Sequence, residues 1–124
     1  MKITSAVLYP LSIPLVEPIK MSGETITDAK TVLLCIRDSR GREGWGEASV
    51  APLMTGETLD SLLASTKYLV EKLRDIKWLE PEDLIKLFSK ILYGNTSAKS
   101  CFEMALLDLY TQEKEIALWS YLRK

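Results

Sequence analysis

Apolar and polar positions change their period about halfway along the chain. From Lys2 to Leu15 apolar and β-branched residues recur with partial alternation, and the run KTVLLCIR, Lys30 to Arg37, has the compact apolar pattern of a buried strand. Between CIRD and GWGEA lies SRGRE, whose Gly41 supplies the positive φ that a tight connection needs, so residues 30–50 predict a hairpin. Trp45 would lay a large apolar plate on the sheet, and the flanking Gly44 and Gly46 would allow close backbone approach or a bulge. After Gly56 the spacing becomes helical. Leu59, Leu62, Leu63, Thr66, Leu69, Val70 and Leu73 trace one helix face, with Thr58 as its N-cap. A second helix starts near Pro81, carries Leu84, Ile85, Leu87, Phe88, Ile91 and Leu92, and stops at Gly94. A third follows NTS and buries Ala98, Cys101, Phe102, Ala105 and Leu109, and IALWSYLRK suits a short fourth.

Strands first and helices afterwards predict an α+β fold: a three-stranded antiparallel sheet followed by a bundle of three to four helices. With 124 residues and 47% apolar content, the chain suits one domain, residues 1–124, with a core that needs no staples. No repeat or low-complexity tract divides it.

Sixteen basic residues against 17 acidic ones leave no basic field, which argues against nucleic acid as a partner. No stretch approaches the roughly 20 apolar residues that cross a membrane, and prolines at 10, 14 and 18 interrupt the N-terminal run that a secretory signal would need. Cys35 and Cys101 fall on apolar patterns and read as buried reduced thiols, which favours a cytoplasmic location. The chain has no histidine. That removes Ser-His-Asp and Cys-His catalysis and the His-Glu-x-x-His zinc site, and two cysteines with 65 residues between them make a poor zinc set. The glycines fit neither a phosphate-cradling loop nor the dinucleotide motif. No catalytic residue and no metal ligand is expected in this chain.

Three segments in order carry a family resemblance: PLVEPIKMSGETITDAKTVLLCIRDSRGREGWGEA, LMTGETLDSL and GNTSAKSCFEMALLDL. They resemble the N-terminal capping domain of the enolase superfamily, in its muconate-lactonizing and mandelate racemase branch, and among these the dipeptide epimerases most. The resemblance implies a divalent metal, usually magnesium, that holds a substrate carboxylate while a lysine or histidine removes the neighbouring α-proton. In the family those groups stand on a C-terminal (β/α) barrel. That barrel is absent from this sequence, which ends at Lys124 where the family runs on through paired glycines. The barrel and a small carboxylate or dipeptide substrate are the implied partners. The same architecture serves muconate cycloisomerases and o-succinylbenzoate synthases, and a stand-alone, non-catalytic binding or scaffolding module is a further alternative.

By the same resemblance two loops shape the substrate pocket, one near residues 19–26 and one near residues 50–56. Closing such a lid excludes water and positions the substrate. Met21, Ile26, Leu53 and Met54 are the expected apolar wall and Thr55 an expected hydroxyl donor. Glu24 stands where epimerases of Ala-Glu dipeptides place a basic residue, so it implies a preference for cationic or neutral side chains. Glu47 is expected to fix adjacent loop amides, Glu103 and Asp108 to make structural hydrogen bonds, and Arg37, Arg40 and Arg42 to form a solvated basic corner. A capping domain without its barrel exposes an apolar surface, so the isolated chain is expected to self-associate there.

Overall fold

The computed structural model describes residues 2–76 and 80–123. Three strands come first, β1 (Ile3–Met21), β2 (Glu24–Asp38) and β3 (Glu43–Ser49), and five helices follow: α1 (Pro52–Thr55), α2 (Leu59–Leu73), α3 (Pro81–Ile91), α4 (Thr96–Glu113) and α5 (Leu118–Leu122). The sheet is antiparallel in the order β1-β2-β3, as the period-two half of the sequence predicts.

Alternation along β2 decides which way the sheet faces. Val32, Leu34 and Ile36 point inward and are wholly buried against Phe102, Ala105, Leu106 and Leu109 of α4 and Leu62, Leu69 and Leu73 of α2. Phe88 of α3 meets Phe102 edge to face, with ring centroids 6.2 Å apart. Helix α4 lies directly on β3, because Gly44 and Gly46 leave room for its backbone; a Cβ on Gly46 would come within 1.9 Å of the Cys101 carbonyl oxygen. The same helix covers the outer edge of the sheet, where Asp108 accepts the Trp45 amide at 2.9 Å and Gln112 Nε2 donates to the Glu43 carbonyl at 2.7 Å. Asp108 therefore has the structural hydrogen bond expected of it, and Glu103 lies half-buried on the same helix.

The helix boundaries have local causes. Thr58 caps α2 in a box with Ser61, and Pro81 opens α3. Helix α3 ends at Leu92, whose extended backbone breaks the helix before Gly94 does, and Ile85, expected inside, is 70% exposed. Asn95, at the start of α4, has a left-handed backbone and no capping bond from its side chain.

Other expectations are modified. Trp45 lies on the sheet, but on the face away from the helices, stacked on Tyr9 at 5.9 Å and 43% exposed. Val7, Leu11 and Ile13 share that exposed face. Two of the three arginines at the β2–β3 turn are paired, Arg37 with Glu43 and Arg42 with the buried Asp38. Glu47 accepts the Thr31 hydroxyl across the sheet and not loop amides. Both cysteines are free and buried, and burial pushes the Cys101 thiol up to about 12, which keeps it protonated and inert at neutral pH. Among the described residues no helix is long and apolar enough to cross a membrane. Lys124 lies outside the described residues.

Candidate functional site

The segment predicted as a loop near residues 19–26 is a continuous hairpin. β1 and β2 pair beyond the reach of β3, through a register shift between Pro14 and Ile19, to a tip where Met21 faces Glu24. Ser22 and Gly23 turn the chain there with φ of 53° and 77°, the two positive values that a tight two-residue hairpin requires. The second predicted loop contains α1, a single turn opened by Pro52 and closed by Gly56, whose amide donates to the Pro52 carbonyl.

Between the hairpin tip and α1 lies a cleft of about 330 Å³. Met21, Glu24, Ile26, Leu53 and Met54 all line it, so the structure brings together five of the six residues singled out from the sequence. Leu53 and Met54 buttress nothing in the core and are 68% and 71% exposed. Thr55 does not line the cleft: its hydroxyl donates to the Ala51 carbonyl at 3.4 Å and accepts the Glu57 amide at 3.3 Å. Val50 and Pro52, from the expected second loop, line it as well, and so do Asp28 and Lys30, which were not expected. Asp28 and Lys30 were legible in principle, since they continue the alternate positions 24 and 26 along one strand.

Glu57 is the residue that sequence reasoning missed altogether. It follows Gly56 at the end of the loop, is only 4% exposed, and crosses to the start of α4, where its two carboxylate oxygens accept the Ser97 and Ala98 amides at 3.0 and 3.1 Å. A buried carboxylate at a helix N-terminus satisfies orphan amides and opposes the helix dipole. It does the capping that the Asn95 side chain does not. Asn95 instead accepts the Ser65 hydroxyl at 2.9 Å, tying the start of α4 to α2.

The cleft offers apolar wall, hydroxyls and three charges, but no base paired with a nucleophile. Among the described residues no three His, Cys, Asp or Glu side chains stand together as a metal-holding group. The described residues thus offer no cage of three such ligands for a magnesium ion.

Comparison with known proteins places this geometry in a family. Residues 3–122 match the model of the mandelate racemase / muconate lactonizing enzyme N-terminal domain. The chain is 34% identical over 122 residues to a D-Ala-D/L-Ala epimerase of Cytophaga hutchinsonii, covering 98% of this chain and 33% of that protein. It is 31% identical over 123 residues to an L-Ala-D/L-Glu epimerase of Bacillus subtilis, covering 98% and 34%. The crystal structure of a dipeptide epimerase from Cytophaga hutchinsonii, complexed with Mg and the dipeptide D-Ala-L-Val, superposes with a TM-score of 0.88 at 33% identity over 98% of this chain and 33% of that one. The chain thus spans about one third of the length of the relatives it matches. Its sheet-then-helix order, its match along residues 3–122 and its likeness to a solved epimerase converge: the chain belongs to the mandelate racemase / muconate lactonizing enzyme family, as its N-terminal domain.

Proposed function

We propose that this chain is the capping, specificity-determining domain of a metal-dependent epimerase that moves the proton α to a carboxylate of a dipeptide or similar small carboxylate. The observation that carries the reading is the convergence of two segments distant in sequence, the hairpin tip at Met21–Glu24 and the turn of helix at Pro52–Met54, on one open cleft. A cleft that opens to solvent suits a domain that closes over the mouth of a second one, a (β/α) barrel. Magnesium and the catalytic base belong to that barrel. Met21, Ile26, Leu53 and Met54 supply the adaptable apolar wall, Thr55 holds the turn of the loop, and Glu24 repels acidic side chains and attracts cationic ones. Burial of the exposed apolar surface against the barrel, or against a second copy where no barrel is present, follows from the same reading.

The test is α-proton exchange. The protein as encoded, supplied with magnesium in D2O and offered a panel of L-Ala dipeptides with acidic, neutral and basic second residues, is expected to incorporate deuterium at one α-carbon, read by mass spectrometry. Exchange on none of them, with dehydration of an o-succinylbenzoate precursor instead, moves the domain to the synthase branch. Inertness toward both defeats the enzymatic reading and leaves a binding module.

A further inference from the structure

Leu53 and Met54 stand far out from the core, and a single turn of helix has too few hydrogen bonds to hold its own position. Something must fix the loop against the domain. At its N-terminal end the loop is held by the sheet, through the Val50 amide donating to the Lys30 carbonyl at 2.9 Å. Its C-terminal end has no strand. There the chain passes Gly56 and delivers Glu57 into a buried position at the first turn of α4. The Glu57 amide donates back to the Thr55 hydroxyl at 3.3 Å, and that hydroxyl donates to Ala51. One residue thus links the cleft-lining turn of helix to the helix that packs on β3.

We propose that Glu57 is the positioning residue of the specificity loop. Its carboxylate, anchored by the Ser97 and Ala98 amides, sets the height of Leu53 and Met54 over the cleft and so the fit of the substrate side chain. The proposal rests on the specificity role just given to that loop. Two charge-assisted bonds to amides, made by a side chain that is almost wholly buried, make this a stiffer anchor than a neutral cap. Neutralising the carboxylate weakens both bonds and turns part of the group into a donor facing donors. The loop then samples positions that no longer fit the substrate, while the base and metal of the barrel, which Glu57 does not touch, are unchanged.

Glu57→Gln keeps the side-chain volume, and Glu57→Ala removes the anchor. On the protein as encoded, Glu57→Gln is expected to raise KM for the preferred dipeptide roughly tenfold, the equivalent of about 1.4 kcal/mol, with kcat within a factor of about two. Glu57→Asp, which keeps the charge on a shorter arm, is expected to recover part of that KM. Hydrogen exchange gives a second readout that needs no turnover. In Glu57→Gln the amides of Met54, Thr55 and Gly56, which close α1, lose protection while those of β2 keep it. If KM stays at the wild-type value and kcat falls, or if the α1 amides stay as protected as before, Glu57 is a helix cap only and the proposal fails. If the wild type turns over no dipeptide, the epimerase reading fails, and the exchange measurement still decides whether Glu57 anchors the loop.

Discussion

Gly46→Ala adds one methyl group, and the structure gives it nowhere to go. The new Cβ would lie 1.9 Å from the Cys101 carbonyl oxygen, 2.9 Å from its carbon and 3.0 Å from the Ala105 amide nitrogen, all backbone atoms of α4. Ordinary contact begins at 3.4 Å, so the helix has to retreat by about 1.5 Å. Phe102, Leu106 and Leu109 on that helix are fully buried, each contributing roughly 1.5–3 kcal/mol by burial, or about 6 kcal/mol together. Where side chains relax into that space and leave a gap of 0.5–1 Å, about a quarter to a half of such contact energy is forfeited, hence about 1.5–3 kcal/mol. The retreat also stretches the Asp108 bond to the Trp45 amide, for about 1 kcal/mol more. With the better strand propensity of alanine, roughly 0.5–1 kcal/mol, set against it, Gly46→Ala is therefore expected to cost about 1.5–3.5 kcal/mol in urea unfolding. Gly41→Ala is the control: it meets nothing within 4 Å and pays only for its φ of 78°, about 1 kcal/mol. Equal losses in the two variants, or a loss below about 1 kcal/mol in Gly46→Ala, would refute the claim that α4 rests on the glycine backbone of β3.

Thr66 is wholly buried in α2 with no hydrogen-bond partner for its hydroxyl, so Thr66→Val is expected to stabilise the domain by about 1 kcal/mol, seen as a Tm higher by roughly 4 °C; a lower Tm would mean that the hydroxyl is satisfied. Burial alone would raise the pKa of Asp38, but hydrogen bonds from the Arg42 side chain and from the Arg42 and Arg40 amides outweigh it and hold the carboxyl below the ordinary range. A depressed folded-state pKa contributes stability that is whole above the unfolded value of about 4 and is lost as pH falls from there through the folded value. Urea midpoints measured between pH 6 and 2 should fall with acid for the wild type and fall less for Asp38→Asn, which starts lower; parallel profiles would exclude Asp38 as a contributor. Glu24→Arg in the protein as encoded is expected to raise kcat/KM for acidic over basic dipeptides about tenfold, and an unchanged ratio would remove Glu24 from the specificity set.

What the sequence disclosed, and what it hid, follows from what hydrophobic patterns report. They report burial, and so the strand Lys30–Arg37, the capped helix after Thr58 and the stripe of α4 were all legible. The outer part of the β1–β2 hairpin is mostly exposed on both faces, so residues 19–26 carry no buried stripe to betray a strand, and they read as a loop. Helix α1 is one turn long, below the length at which a period exists. Ile85 sat on an apolar spacing that the bundle leaves open to solvent. The cleft was legible only through the family resemblance, which put both segments beside a substrate pocket; the apolar pattern by itself did not mark them. Glu57 was not, because nothing local distinguishes an acid in water from one carried across to amides 40 residues away.

The hairpin has a mechanical consequence. β3 supports β2 only from Thr31 to Arg37, so from Lys30 outward the pair of strands projects roughly 20 Å as an unsupported cantilever. A beam fixed at one end deflects most at its tip, and the side chains at this tip are not among those packed on the core. Met21, Ser22 and Glu24 can therefore be exchanged without disturbing Val32, Leu34 or Ile36, whose burial holds the domain together. Substrate choice and folding stability draw on different residues of the same two strands, and a lineage carrying this domain is free to change the first while keeping the second.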